Sequence, residues 1–444
     1  MDVAATIRTP AVEPLERETI RRVAWRLIPL LMLGYFCAYL DRVNVGFAAL
    51  TMNKMLGFSS AVFGFGAGLF FVGYFVAEIP SNLILDKVGA RRWLARILVT
   101  WGIVSGLTAF VWNDWSFYGV RILLGIAEAG FYPGVVLYLI WWFPAAYRTR
   151  MMATFQSAST ISNIIGPPIS ANLLSLDGIA GFSGWQWLFL IEALPPVIMG
   201  VLTWFLLTDR PSDAHWLRTD QREWLIKRLA DERADREAIK TFSLGQAFSY
   251  PRMWLMTVTY FGQNVSAYGI LMFLPLIVRG LGVAQSNTGY VAMLPYVCGL
   301  SAMAFFCIRS DLTGNRVAYC AAANLLCSAG LVSAAAIGPS HPVLMIMAIC
   351  CAAMGQSSIA ATFWALPSAL LTGIAAAGGI ALINSIGNLG GWIGPWVFGL
   401  VKDATGSDAL GLLALGSGPF IGAFALILAG HDRRMERIPG TRRV

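Results

Sequence analysis

Six ionisable side chains stand inside long apolar stretches of this 444-residue chain: Asp41, Arg42, Glu78, Arg121, Glu128 and Glu192, all in its first half. A charge placed in hydrocarbon costs at least ~2.5 kcal/mol on the mildest insertion scales, so each marks a candidate working group. Arg121 and Glu128 are seven residues apart. On a helix that is almost two turns, which puts both on one face about 10 Å apart along the axis. Asp41 and Arg42 sit on an earlier stretch running the opposite way, at a depth between those two. Two acids and two arginines at one level suit a central polar cavity. A guanidinium offers a carboxylate a planar, two-pronged match and keeps its charge. A carboxyl pushed toward neutrality by burial can take a proton, and a nearby cation adjusts that tendency. The expected roles are anion recognition for Arg42 and Arg121, and proton carriage for Asp41 and Glu128. The competing expectation is a set of fixed ion pairs joining two helices. Glu78 and Glu192, nearer the ends of their stretches, read as structural pairs or wetted edges.

The elements that position these groups are membrane-spanning helices. The chain is 57% hydrophobic and 13% charged, with a mean hydropathy of +0.65. Roughly a quarter of an ordinary soluble protein is charged, so this much apolar surface needs lipid as its solvent. A span takes about 20 apolar residues. Twelve spans are expected at 24–50, 62–84, 92–112, 115–141, 151–174, 187–208, 253–278, 287–308, 316–337, 342–371, 376–401 and 409–430. The organisation predicted from them is an N-terminal tail 1–23, a six-helix bundle 24–208, a hydrophilic linker 209–250, a second six-helix bundle 251–430 and a tail 431–444. A surface helix is expected to begin at Thr219 within the linker. The apolar runs are too long and continuous for the alternating strands of a membrane β-barrel.

Charge sets the topology. Lys54, Arg279 and Lys402 fall in odd-numbered hairpins, whereas the tails and even-numbered hairpins hold nearly all the other Lys and Arg of the 32 in the chain. By the positive-inside rule both termini are expected in the cytoplasm of an inner-membrane protein. The net charge of +8 is thus a topological signal, and no basic stripe or zinc spacing points to nucleic acid. The seven cysteines lie in or beside apolar runs and read as small buried hydrophobes. His215, His341 and His431 are scattered through loops, so neither a metal site nor an enzyme is expected. No G-x-x-x-x-G-K-[ST] loop is present to cradle ATP phosphates. No cofactor is expected.

The halves repeat. Asp86, Gly89 and Arg91 recur as Asp311, Gly314 and Arg316 at an offset of 225, and Gly166-Pro167 recurs as Gly394-Pro395 at 228. Internal duplication with a site between the repeats characterises secondary transporters. The segment Asn82-Leu-Ile-Leu-Asp86-Lys-Val-Gly89-Ala-Arg91-Arg92 resembles the signature loop of the major facilitator superfamily, with Asn82 where glycine is usual. Further stretches resemble its anion:cation symporter family. They are Tyr39-Leu-Asp41-Arg42-Val-Asn44, Glu78-Ile-Pro80-Ser-Asn82, Arg121 through Glu128 to Pro133-Gly134, Trp185-Gln-Trp187 through Glu192, and Asn384-Ser-Ile-Gly387-Asn388-Leu-Gly390-Gly391. The pattern is most similar to members importing carboxylates such as tartrate, phthalate, nicotinate or hydroxyphenylacetate. The resemblance implies an all-α fold of two pseudo-symmetric six-helix bundles that imports a small organic anion with protons through the bilayer. It also places helices one and four beside the central cavity. The chain is expected to act as a monomer.

Uncharged polar groups must complete such a cavity from the second half. Asn264, Tyr268, Gln356, Trp364, Asn384 and Asn388 are the candidates, with Tyr74 from the second span, and the resemblance favours Asn384 and Asn388. Trp364 could stack on an aromatic substrate. The competing expectation for each is a polar helix–helix contact. Asp86, Gly89, Arg91 and Arg92 are expected to form a conformational latch. Carrying protons inward with an anion has a purpose, because importing one negative charge against an inside-negative potential costs ~2.3 kcal/mol per 100 mV. Anion exchange, sodium coupling and a carboxylate sensor without flux stay open at this point.

Overall fold

The computed structural model describes residues 14–237, 251–364, 366–367 and 373–430. Those residues contain helices and no strand. The first half runs α1 (Pro14–Leu56), α2 (Ser60–Val88), α3 (Ala90–Leu107), α4 (Asp114–Glu128), α5 (Phe131–Trp142), α6 (Ala145–Leu173) and α7 (Gly184–Leu206). The linker helix α8 (Thr219–Glu237) follows. The second half runs α9 (Pro251–Gly280), α10 (Gln285–Thr313), α11 (Arg316–Ile337), α12 (Pro342–Phe363), α13 (Gly373–Asn388), α14 (Gly390–Thr405) and α15 (Asp408–Ala429). Ten of the resulting segments, counting α4 and α5 as one, are long and apolar enough to cross a membrane. The fifth span, α6, and the eleventh, α13 with α14, complete the twelve. α6 is less apolar because Gln156, Ser157, Ser159, Thr160 and Asn163 turn toward a cavity.

Two spans expected to be continuous are broken. The fourth, read as 115–141, divides between α4 and α5 at Ala129-Gly130, where Gly130 adopts φ +89°. Pro133, in the first turn of α5, has no N–H to continue the ladder. The freed carbonyl of Ala129 accepts the Ser81 hydroxyl at 2.7 Å, which meets the requirement that lipid-embedded backbone be satisfied by protein. The eleventh span breaks at Leu389, and Asn264 Nδ2 donates to the Gly387 carbonyl that the break frees, at 3.0 Å. α1 extends beyond the expected span into the tail predicted at 1–23, of which residues 1–13 lie outside the described residues. The tail 431–444, the linker portion 238–250 and most of the predicted end of span ten beyond Phe363 lie outside them too.

The linker helix is docked. Leu225 and Gln221 are fully buried. Glu232 accepts the Ala145 backbone N–H at 3.0 Å and stands 4.0 Å from Arg148, while Arg218 pairs with Glu18 at 3.3 Å. The face of the protein that carries α8 is called the linker face below.

On the opposite face the two halves are sealed, and the seal repeats with the sequence. Gly64 of α2 packs so closely on α14 that a Cβ there would lie 2.2 Å from the Pro395 carbonyl oxygen. Gly289 of α10 makes the matching approach to α6, where a Cβ would lie 2.3 Å from the Pro167 oxygen. Gly64 and Gly289 are 225 positions apart, and Pro167 and Pro395 are 228 apart, so the two contacts are related by the internal duplication. Asp403, near the end of α14, accepts the backbone N–H groups of Ser60 and Ala61 at 2.9 and 2.7 Å and so caps the start of α2 across the halves.

Candidate functional site

Between the halves lies a cavity of about 750 Å³. Its walls follow α6 from Ala153 and α10 to Cys307, so it opens toward the linker face and ends below the opposite seal. α1 contributes Tyr35, Tyr39 and Arg42, residues spaced by three to four so that they share one helix face. Among the described lining residues Arg42 is the one charged side chain.

Arg42 is held from several sides. Its Nη2 donates to Glu128 Oε1 at 2.6 Å, joining α1 to the last residue of α4. Its Nη1 lies 3.3 Å from the Tyr268 hydroxyl of α9. Positions 42 and 268 are 226 apart, so these two groups are close to repeat equivalents meeting at the pseudo-symmetry axis. The guanidinium carbon sits 5.0 Å from the Tyr39 ring centroid and 5.3 Å from that of Phe70. Such faces attract a cation, more strongly where water is excluded. The side chain is still 12% exposed, against 3% for Glu128. Arg42 therefore presents positive charge to the cavity while Glu128 backs it from behind.

The other predicted charges do not reach the cavity. Arg121 is 1% exposed, donates Nη2 to the Ala67 carbonyl at 3.1 Å and stacks near Phe70, with its Nε and Nη1 unpartnered. Asp41 turns into the first bundle, where it accepts Asn44 Nδ2 at 3.0 Å together with Trp101 Nε1 and Ser105 Oγ. The arrangement of two acids and two arginines around one cavity thus resolves into Arg42 at the wall, Glu128 behind it, and Arg121 and Asp41 deeper in the helix packing. Adjacent residues on a helix point about 100° apart, which is why Asp41 and Arg42 face different partners.

The uncharged candidates do converge. Tyr74, Asn264, Tyr268, Gln356, Trp364, Asn384 and Asn388 all line the cavity. Trp364 packs edge-on against Tyr260 at 4.8 Å. Asn384 donates to Glu78 Oε1 at 3.2 Å, and Ser385 lies 3.5 Å from Oε2, so Glu78 is a contact between halves. Tyr39, Gln156 and Gln263 also line the cavity and were not singled out from the sequence. Their signal was available as polar and aromatic residues recurring on one helix face.

The residues expected to form a latch have separate surroundings. Gly89, at φ +97°, lets Asp209 approach the start of α3. Asp209 accepts the Arg91 backbone N–H at 2.8 Å, and its carboxylate stands 3.9 Å from Arg91 Nε. Asp86 and Arg92 are exposed and form no hydrogen bond or ion pair among the described residues. Asp209 lies three residues beyond α7, which ends beside the start of α3.

Comparison with known proteins agrees with this architecture. Residues 31–395 match the sequence profile of the Major Facilitator Superfamily. An Agrobacterium vitis protein named "Putative tartrate transporter" is 48% identical over 399 residues, covering 90% of this chain and 91% of its own length. A quinolone resistance transporter of Acinetobacter baumannii is 38% identical, covering 93% of this chain and 94% of its own length. The crystal structure of a bacterial homologue of the human lysosomal transporter Spinster, in an inward-facing and unoccupied conformation, superposes with a TM-score of 0.77 at 15% identity, over 96% of this chain and all of that one. The duplicated bundles, the cavity between them and the profile spanning both halves lead to one conclusion: this chain belongs to the Major Facilitator Superfamily and is a membrane transporter, not an enzyme.

Proposed function

We propose that this transporter imports a small organic carboxylate by proton symport through alternating access, with the linker face in the cytoplasm of a bacterial inner membrane. The observation that carries the reading is Arg42, the lone described charge on the cavity wall, held ready by Glu128 and Tyr268. A carboxylate can share its guanidinium fork, while Asn264, Asn384, Asn388 and Gln356 offer amides to hydroxyl or second carboxyl groups. Glu128 and Asp41 carry protons in this reading. When the substrate takes over Arg42, Glu128 loses its counter-ion in a dry setting, and a proton restores neutrality. Arg121, behind the wall, tunes both acids. The relative named for tartrate and the anion:cation symporter resemblance support a carboxylate substrate.

The test is uptake of labelled tartrate, a sugar acid, hydroxyphenylacetate, phthalate and nicotinate into proteoliposomes under an inward proton gradient. One compound should accumulate, and a protonophore should collapse the accumulation. Uptake that ignores the gradient but follows sodium, or needs an anion on the other side, overturns proton symport. The variant Glu128→Gln should keep counterflow of unlabelled against labelled substrate and lose gradient-driven accumulation. Preserved pH-driven uptake in that variant removes Glu128 from the proton role.

A further inference from the structure

We infer that Glu192 is the carboxyl that loads a proton from the face opposite the linker, and that it ties proton binding to closure of the α6–α10 seal. The inference rests on the proton-coupled reading above. Glu192 lies on α7 and is 4% exposed. Its Oε1 accepts the Ser170 hydroxyl at 2.8 Å, and its Oε2 is buried with no partner. No arginine or lysine pairs with it among the described residues, whereas Glu128 has Arg42, and Asp41 has three donors. The titratable groups close enough to feel its charge are Asp41 and the Cys37 thiol, both on α1, where the Asn44 amide also faces it. A carboxylate sealed away from water, with the Ser170 hydroxyl and the Asn44 amide beside it and no cation, is costly. In the sealed state Glu192 is therefore the neutral acid, its proton on Oε2.

The position of the Ser170 donor gives that proton a purpose. Ser170 is three residues beyond Pro167, the residue whose carbonyl meets Gly289. Ala171 beside it would lie 2.8 Å from a Cβ on Gly289, and Asn172 Nδ2 lies 3.4 Å from the Tyr290 hydroxyl. One turn of α6 thus holds the α10 contact on one side and the Glu192 carboxyl on the other. The duplicated seal lacks this device. The position 228 beyond Ser170 is Phe398, fully buried among apolar groups. Of the two otherwise matched seals, only the α6–α10 contact has a buried acid behind it, since Asp403 on the α2–α14 contact is exposed. When α6 and α10 part, water from that face reaches Glu192, hydronium gives a proton to Oε2, and closure buries the neutral acid. Closure over the ionised form is opposed by its dehydration. Protons and the opposite-face gate are coupled in this way without Glu192 touching substrate.

The experiment compares wild type with Glu192→Gln in proteoliposomes, reading gradient-driven accumulation, proton-to-substrate stoichiometry and gradient-free counterflow. Each coupled proton is worth about tenfold accumulation per pH unit. Glu192→Gln should lose that factor and one proton per cycle, while counterflow stays close to wild type. Accumulation with wild-type stoichiometry in Glu192→Gln overturns the inference and leaves proton symport standing. Absence of any gradient dependence in wild type overturns both. If Glu192→Gln inserts poorly, Ser170→Ala decides. It keeps the acid but removes a donor to its ionised form, so the pH midpoint of uptake should move to the alkaline side. An unmoved midpoint removes Glu192 from the cycle.

Discussion

Arg42→Gln is expected to abolish uptake of every carboxylate the wild type carries. The substitution removes the one described charge on the cavity wall, so the anion loses its match. It also leaves Glu128, 3% exposed, without the guanidinium 2.6 Å away. Breaking a buried pair by deleting one member costs about 3–5 kcal/mol. At 1.4 kcal/mol per decade that exceeds roughly a hundredfold. Binding loss and folding loss can be separated. The double variant Arg42→Gln with Glu128→Gln replaces the orphaned charge by an amide, so its thermal unfolding in detergent should recover toward wild type while transport stays absent. Arg42→Lys keeps the charge but not the fork or the stacking between Tyr39 and Phe70, and should recover little uptake. Substantial transport in Arg42→Gln would remove this residue from anion recognition.

Gly64→Val is expected to stop the cycle by another route. The obstacle to a side chain there is the Pro395 backbone, 2.2 Å from the ideal Cβ, and backbone in a packed helix cannot step aside as a flexible side chain can. The halves then cannot close on the face opposite the linker. Gly289→Val should act in the same way through Pro167, because the duplication built both contacts alike. Net uptake should fall to background in each. A cysteine introduced at Phe63, fully buried beside Phe273 in the sealed state, should become reactive to an impermeant maleimide from that face in the Gly64→Val background. Gly119→Ala is the control, since a Cβ there meets nothing within 4 Å. Normal uptake by Gly64→Val would mean that the close approach is not needed for turnover.

The twelve spans and the duplication were legible in the residues themselves. Lipid demands long apolar runs, and the repeat left matched residues at offsets of 225 to 228. Tyr74, Asn264, Tyr268, Trp364, Asn384 and Asn388 could be picked out because an uncharged polar group inside a span needs a partner or a cavity. The breaks at Gly130 and Leu389 were harder to see, because apolar composition continues through both and only the backbone records the interruption.

The sequence by itself determined that Asp41, Arg42, Arg121 and Glu128 would be charges inside membrane-spanning helices, since no loop is close enough in the chain to carry them out, whereas Glu192, near the end of its span, could equally have met water there. Which of them would face the cavity was decided by tertiary packing. Asp41 and Arg42 are neighbours in the chain, yet one turns to Trp101 and Ser105 and the other to Glu128 and Tyr268. A turn of about 100° per residue separates adjacent side chains, but only the neighbouring helices determine which direction is the cavity and which is the core.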